Sequence, residues 1–144
     1  MQLVLPIVAC LIGGLAIGLQ NPLASLMGQR LGIVQSVFII HLGGTMVAAL
    51  ALLATPTGAL AGWRSVPWYA LGAGALGVTL VGAVTYAIPR LGTAATMALV
   101  VAVQLGISTV LDHYGVLGVP QHDLDTTRVA GVVLLLAGAW LVLR

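Results

Sequence analysis

Five long apolar runs, separated by short polar breaks, restrict this chain more than any other feature. They lie at roughly 3–21, 34–54, 67–88, 94–112 and 127–143, with charged residues only near their ends. A helix of about 20 apolar residues crosses the hydrocarbon core of a bilayer. A water-soluble surface cannot be built from the rest, because the chain is 60% hydrophobic and 6% charged. Its mean hydropathy is +1.17. The runs do not alternate polar and apolar residues, which argues against a transmembrane β-barrel. The expected fold is an all-α integral membrane protein, one domain over residues 1–144 with five transmembrane helices.

The breaks set the limits of the runs. Asn21-Pro22 is expected to end or kink the first helix, and Pro56 and Gly58 follow the second. Pro67 opens the third and Pro89 stops it, while Thr93 and Asp125 are suited to cap the last two. Trp63, Trp68, Tyr69, Tyr86, Tyr114 and Trp140 fall near the predicted ends, as interfacial aromatics do. The first run has no charged segment ahead of it and no small-residue cleavage site leading into a soluble domain. It reads as a retained helix, not a signal peptide. The continuation PLASLMGQRL is either a kinked second half of that helix or an interfacial helix.

The ionisable residues are five Arg and three Asp, with no Lys or Glu. A surplus of two Arg is too small to imply a nucleic-acid partner. Cys10 is alone, so no intrachain disulfide can form, and it reads as a small buried hydrophobe. Phosphate-binding loops, nucleotide fingerprints, nucleophile–histidine signatures and HExxH are all missing from the sequence, so nothing points to an enzyme or to a cofactor. His122, Asp123 and Asp125 in PQHDLD are spaced too loosely for a metal site and read as solvated loop.

Five spans put the termini on opposite sides. Arg30, Arg90 and Arg144 then share one side, and Arg64 and Arg128 the other. Three against two is a weak bias, and orientation follows the Arg/Lys excess in short loops. Insertion in both directions would supply the two halves of an inverted-repeat transporter, so an antiparallel homodimer is expected. The alternative is a fixed orientation, N-terminus outside. Glycine is plentiful at 19 residues, with Gly14/Gly18, Gly43-Gly44, Ala70/Gly74 and Ala73/Gly77 as small-residue contacts. These serve close packing within one bundle or, on helix 3 or 5, a subunit interface.

Polar residues inside the runs carry the functional question, because such groups are costly in hydrocarbon and face a partner or a wet cavity. Gln104, Ser108 and Asp112 recur every four residues, a stripe rising about 12 Å along one face of helix 4. Gln104 lies near the midplane, either stitching helices together or contacting a substrate. Ser108 can equally bond its own i−4 carbonyl. Asp112 and His113 end the span. They are candidates for a proton relay, or Asp112 is an interfacial carboxylate in contact with headgroups or with Arg64 or Arg128. His41 in helix 2 is an intramembrane imidazole, either a functional group or a satisfied packing residue, and Gln20 and Asn21 precede a proline that can open backbone carbonyls to a cavity.

These residues resemble a known family. Gln104, Ser108, Asp112-His113-Tyr114-Gly115, Gly118-Val119-Pro120, and Gly131 with Gly138 follow the pattern of the small YdcZ-type bacterial membrane proteins of the drug/metabolite transporter superfamily. GGLAIGLQNPLASLMGQRLG is similar to that family's opening helix, HLGGTMVAALALL to its second, and IPRLGTAAT to its third connection. Val103 stands where the family has Gly, and Ser25 lies where it has a second Asn. The resemblance implies a five-helix inner-membrane unit, half of a ten-helix inverted repeat, working as an antiparallel dimer. The resulting expectation is a transporter moving a small, partly hydrophobic organic solute by alternating access. Gln104, Ser108, His41, Gln20 and Asn21 would line the pathway, with Asp112 and His113 for proton coupling. The rival readings are a non-transporting assembly protein and a channel.

Overall fold

A computed structural model describes residues 3–55 and 60–144, so Pro56 and Gly58 lie outside the described residues. Among those described, helices are the only regular elements. They are α1 (Val4–Leu31), α2 (Ile33–Leu53), a 3-10 segment (Ala61–Ser65), α3 (Trp68–Leu71), α4 (Ala73–Leu91), α5 (Thr93–Tyr114) and α6 (Thr126–Val142). Four helices are long and apolar enough to cross a membrane: α1, α2, the combined Trp68–Leu91 segment, and α5. The fifth, α6, is apolar and has 17 residues. The chain divides into two compact units, Met1–Pro89 and Arg90–Arg144.

In the first unit, α1 does not end at Asn21-Pro22. It runs 28 residues with Pro22 inside it, so PLASLMGQRL is helical throughout. Proline removes one backbone N–H, leaving the Gly18 carbonyl without its i+4 donor, a loss that membrane helices absorb through neighbouring polar groups. The following residues are good helix formers, and buried Asn21 and Ser25 flank the break. At about 42 Å, α1 is longer than a bilayer core, so Gln29 and Arg30 in its last turn can reach the headgroups.

Gly32 alone separates α1 from α2. Its φ of 100° and ψ of 155° suit a residue without a Cβ, and its N–H closes on the Gly28 carbonyl at 3.0 Å. The two helices then fold back on each other. Ser36, fully buried, donates to the Ala24 carbonyl at 2.9 Å, and Gln29 Nε2 donates to Ser25 Oγ at 3.2 Å. Helix α4 meets this hairpin through glycines. Gly28 faces Thr85, Gly82 faces Val37, and Gly77 faces His41. Pro89 does not stop α4, which continues to Leu91 because a proline's own φ is helical; Gly92, with φ 81°, ends it.

The second unit is the α5–α6 hairpin. Asp125 caps α6 as its sequence position suggested, its carboxylate accepting from the Arg128 N–H at 2.7 Å. Gly92, not Thr93, occupies the cap position of α5. Large apolar side chains cover the outside of the helices, among them Leu15 at 67% exposure, Leu76 at 73% and Leu134 at 71%. Surfaces of this kind match lipid, not water. Cys10 is exposed on α1 and not buried as the sequence suggested. At Gly14, Gly18, Gly43, Gly44, Gly74, Gly131 and Gly138 a Cβ would meet nothing within 4 Å, so those small-residue faces are open among the described residues.

Candidate functional site

The first unit brings together two residues that the sequence singled out separately. Gln20 of α1 and His41 of α2 line one groove of about 340 Å³, completed by Ile40, Gly44, Thr45 and Ala48 of α2 and Val81 of α4. Helical spacing explains the α2 contribution, since His41 and Thr45 are four residues apart and stand one above the other. The imidazole is fixed by its own helix: Nδ1 lies 2.8 Å from the Val37 carbonyl, which can only accept, so Nδ1 carries the hydrogen. Its Nε2 lies over α4, 3.5 Å from where a Cβ on Gly77 would stand. Thr45 Oγ1 donates to the His41 carbonyl at 2.7 Å.

Gln20 also borders a second groove of about 510 Å³ between α1 and α2, lined chiefly by aliphatic residues and by Gly43 and Gly44. Its neighbour Asn21 turns the other way and is 8% exposed, part of a buried polar layer with Ser25, Ser36 and Thr85. Thr85 Oγ1 is buried with no hydrogen-bond partner among the described residues. Thr45 and the rest of this layer apart from Asn21 are not among the residues that the sequence places in the pathway. The i, i+4 spacing from His41 is the available signal for Thr45. For Ser25, Ser36 and Thr85, burial depends on helix crossings that no local pattern encodes.

In the second unit, Gln104 and Ser108 are exposed on α5, and neither has a hydrogen-bond partner among the described residues. Since α5 is continuous from Thr93 to Tyr114, Met97, Val101, Gln104, Ser108 and Asp112 fall within an arc of roughly 80°. Met97 and Val101 line an apolar groove of about 490 Å³ with Leu134, Leu135, Gly138, Ala139 and Val142 of α6. One face of α5 thus passes from apolar to polar along its length.

Asp112 and His113 are used at the helix end. The Asp112 carboxylate meets Arg128 Nη1 at 3.4 Å, with both side chains a little over one-third exposed. Of the two arginines expected on that side, Arg128 is the partner. The Asp112 carbonyl accepts from the N–H groups of Gly115 at 3.3 Å and His122 at 2.8 Å. The His113 carbonyl accepts from Gln121 Nε2 at 3.1 Å. Its ring Nδ1 accepts from the Leu124 N–H at 3.3 Å, and the ring packs on Tyr114. Gly115 is left-handed at φ 59°, which lets Gln121 fold back over it. Asp-His-Tyr-Gly therefore works as a clamp closing the α5–α6 connection. His122 contacts the Pro120 carbonyl through Nδ1 at 3.1 Å, within the same turn.

Residues 5–141 match the family described as "Putative inner membrane exporter, YdcZ". No curated protein and no solved structure gives a match. The match covers nearly all of the chain and agrees with the apolar helices: this is a multi-pass inner-membrane protein of a transporter family.

Proposed function

The chain belongs to the YdcZ family, and on that premise we propose that it is one subunit of a transporter moving a small organic solute by alternating access across a bacterial inner membrane. The observation that carries this reading is Gln104. It stands mid-way along an apolar 22-residue helix with no hydrogen-bond partner among the described residues. An unpaired amide in hydrocarbon costs several kcal/mol, so the side chain needs a wet cavity or a second chain. The apolar groove beginning at Met97 and Val101 shares its face and offers a solute both kinds of contact.

In the proposed assembly all five helices span, α6 at the short end of the spanning range. Two chains pair in opposite orientations, which the near-even split of arginines permits. Gln104, Ser108, Gln20, Asn21 and His41 are the proposed pathway residues. Proton coupling belongs to the proposal, with Asp112 and His113 as the groups that respond. In its favour, protonating the Asp112 carboxylate removes its attraction to Arg128.

The test is solute flux into proteoliposomes under imposed pH gradients, comparing the natural chain with Gln104→Leu. Saturable flux lost in the variant, with its thermal unfolding unchanged, supports transport. No flux of any solute in a broad panel rejects it in favour of a membrane assembly role.

A further inference from the structure

The polar groups of the Gln20–His41 groove have a defined hydrogen-bonding sense. His41 spends its Nδ1 hydrogen on the Val37 carbonyl, which leaves Nε2 of the imidazole as the acceptor. Thr45 spends its hydroxyl hydrogen on the His41 carbonyl, which leaves only oxygen lone pairs for the groove. Gln20 adds an amide that both donates and accepts. Acceptors dominate, and two of them have no hydrogen left to give. A molecule lodged here is recognised by the hydrogens it brings.

Charge narrows the class further. All three acids of the chain lie between residues 112 and 125, so the unit that forms this groove contains no carboxylate. A fixed cation would find no counter-ion within this unit, and a desolvated charge carries a high cost. The rest of the lining is aliphatic or glycine, and the volume of about 340 Å³ accepts a molecule the size of a substituted benzene ring.

Resting on the transport reading, we propose that this groove binds the polar end of a neutral solute that donates a hydrogen bond, an O–H or N–H on an apolar body, with His41 Nε2 as the acceptor. The same molecule with that hydrogen replaced by methyl loses the contact and gains bulk where the acceptor stands. Gly77 supplies a specific control. A methyl there would lie 3.5 Å from Nε2, an ordinary contact that leaves the packing intact while covering the lone pair.

The experiment uses the full chain in detergent with 4-ethylphenol and its methyl ether, 4-ethylanisole. Binding is measured by equilibrium dialysis, and the ring nitrogens are followed by NMR of protein labelled with 15N-histidine. The expected result is saturable phenol binding that moves the His41 Nε2 resonance, with the ether roughly fivefold weaker or worse. His41→Phe and Gly77→Ala should each abolish the preference. Equal binding of the two compounds, no saturable phenol binding, or a preference that survives both variants overturns the proposal. Proteoliposome flux separates it from transport itself. Ether carried as well as phenol sinks the recognition rule alone; phenol bound at His41 but no solute carried sinks transport and leaves the site.

Discussion

Asp112 in the last turn of α5 and Arg128 in the first turn of α6 meet at 3.4 Å, across a connection also held by backbone bonds and by the side chains of His113 and Gln121. Arg128 is engaged twice, since its N–H is also bound by Asp125. The pair is part-exposed, and such ion pairs contribute about 0.2–1 kcal/mol. Its effect is therefore on geometry more than on stability.

Asp112→Asn keeps the shape of the side chain and removes its charge. The melting temperature in detergent should fall by only a few degrees, because the clamp's carbonyl contacts to Gly115 and His122 remain. If coupling runs through this carboxylate, flux should lose its dependence on an imposed pH gradient. Gradient-dependent flux in the variant would exclude Asp112 from coupling.

Gly28→Ala drives a methyl into Thr85 Cγ2 where α1 meets α4. Overpacking of this kind costs about 1–3 kcal/mol. Thr85→Ser deletes the obstructing methyl and keeps the hydroxyl, so the double variant should recover most of the loss. Thermal unfolding of the two single variants and the double variant checks this. Additive losses would show that the two residues do not touch.

Gly115→Ala forces a side chain into left-handed backbone and places its Cβ 3.0 Å from Gln121 Cβ. The expected cost is about 1–2 kcal/mol, and Gly115→Asn should cost less because Asn tolerates this conformation. Hydrogen exchange at the amides of His122 and Leu124, which close the clamp, should rise in the alanine variant before exchange rises in the centre of α6. Uniform acceleration along both helices would contradict a local clamp.

Reporters fused after Arg144 should give signals from both sides of the membrane in comparable amounts, since arginine splits three to two between the sides. Adding several lysines at the C-terminus should collapse the signal to one side. A one-sided signal from the natural chain would end the antiparallel dimer.

Much of the fold was legible because hydrocarbon imposes simple rules. Apolar runs of spanning length became helices, and Asp125 capped α6 where a short polar side chain precedes a helical run. Gln20 and His41 stood out because polar groups are rare in such helices, yet only the α1–α2 hairpin at Gly32 shows that they share a groove. Pro22 leaves an end or a continued helix open in the sequence: the proline rule describes an isolated helix in water, and burial of Asn21 and Ser25 beside it goes with a helix that runs on. Asp112-His113 suggested titration chemistry from composition, while the residues that occupy it, Gln121, His122, Leu124 and Arg128, are brought there by a turn that no periodicity encodes.

The unequal helices have a consequence of their own. At 28 residues α1 extends about 42 Å, and at 17 residues α6 extends about 25 Å. In the proposed five-span assembly a bilayer cannot match both without tilting the first or thinning around the second, at a cost of fractions of a kcal/mol per ångström. Any change of conformation that alters the tilt of either helix is then tied to lipid chain length. The thickness of the membrane becomes a control variable for this protein, alongside the concentration of whatever it carries.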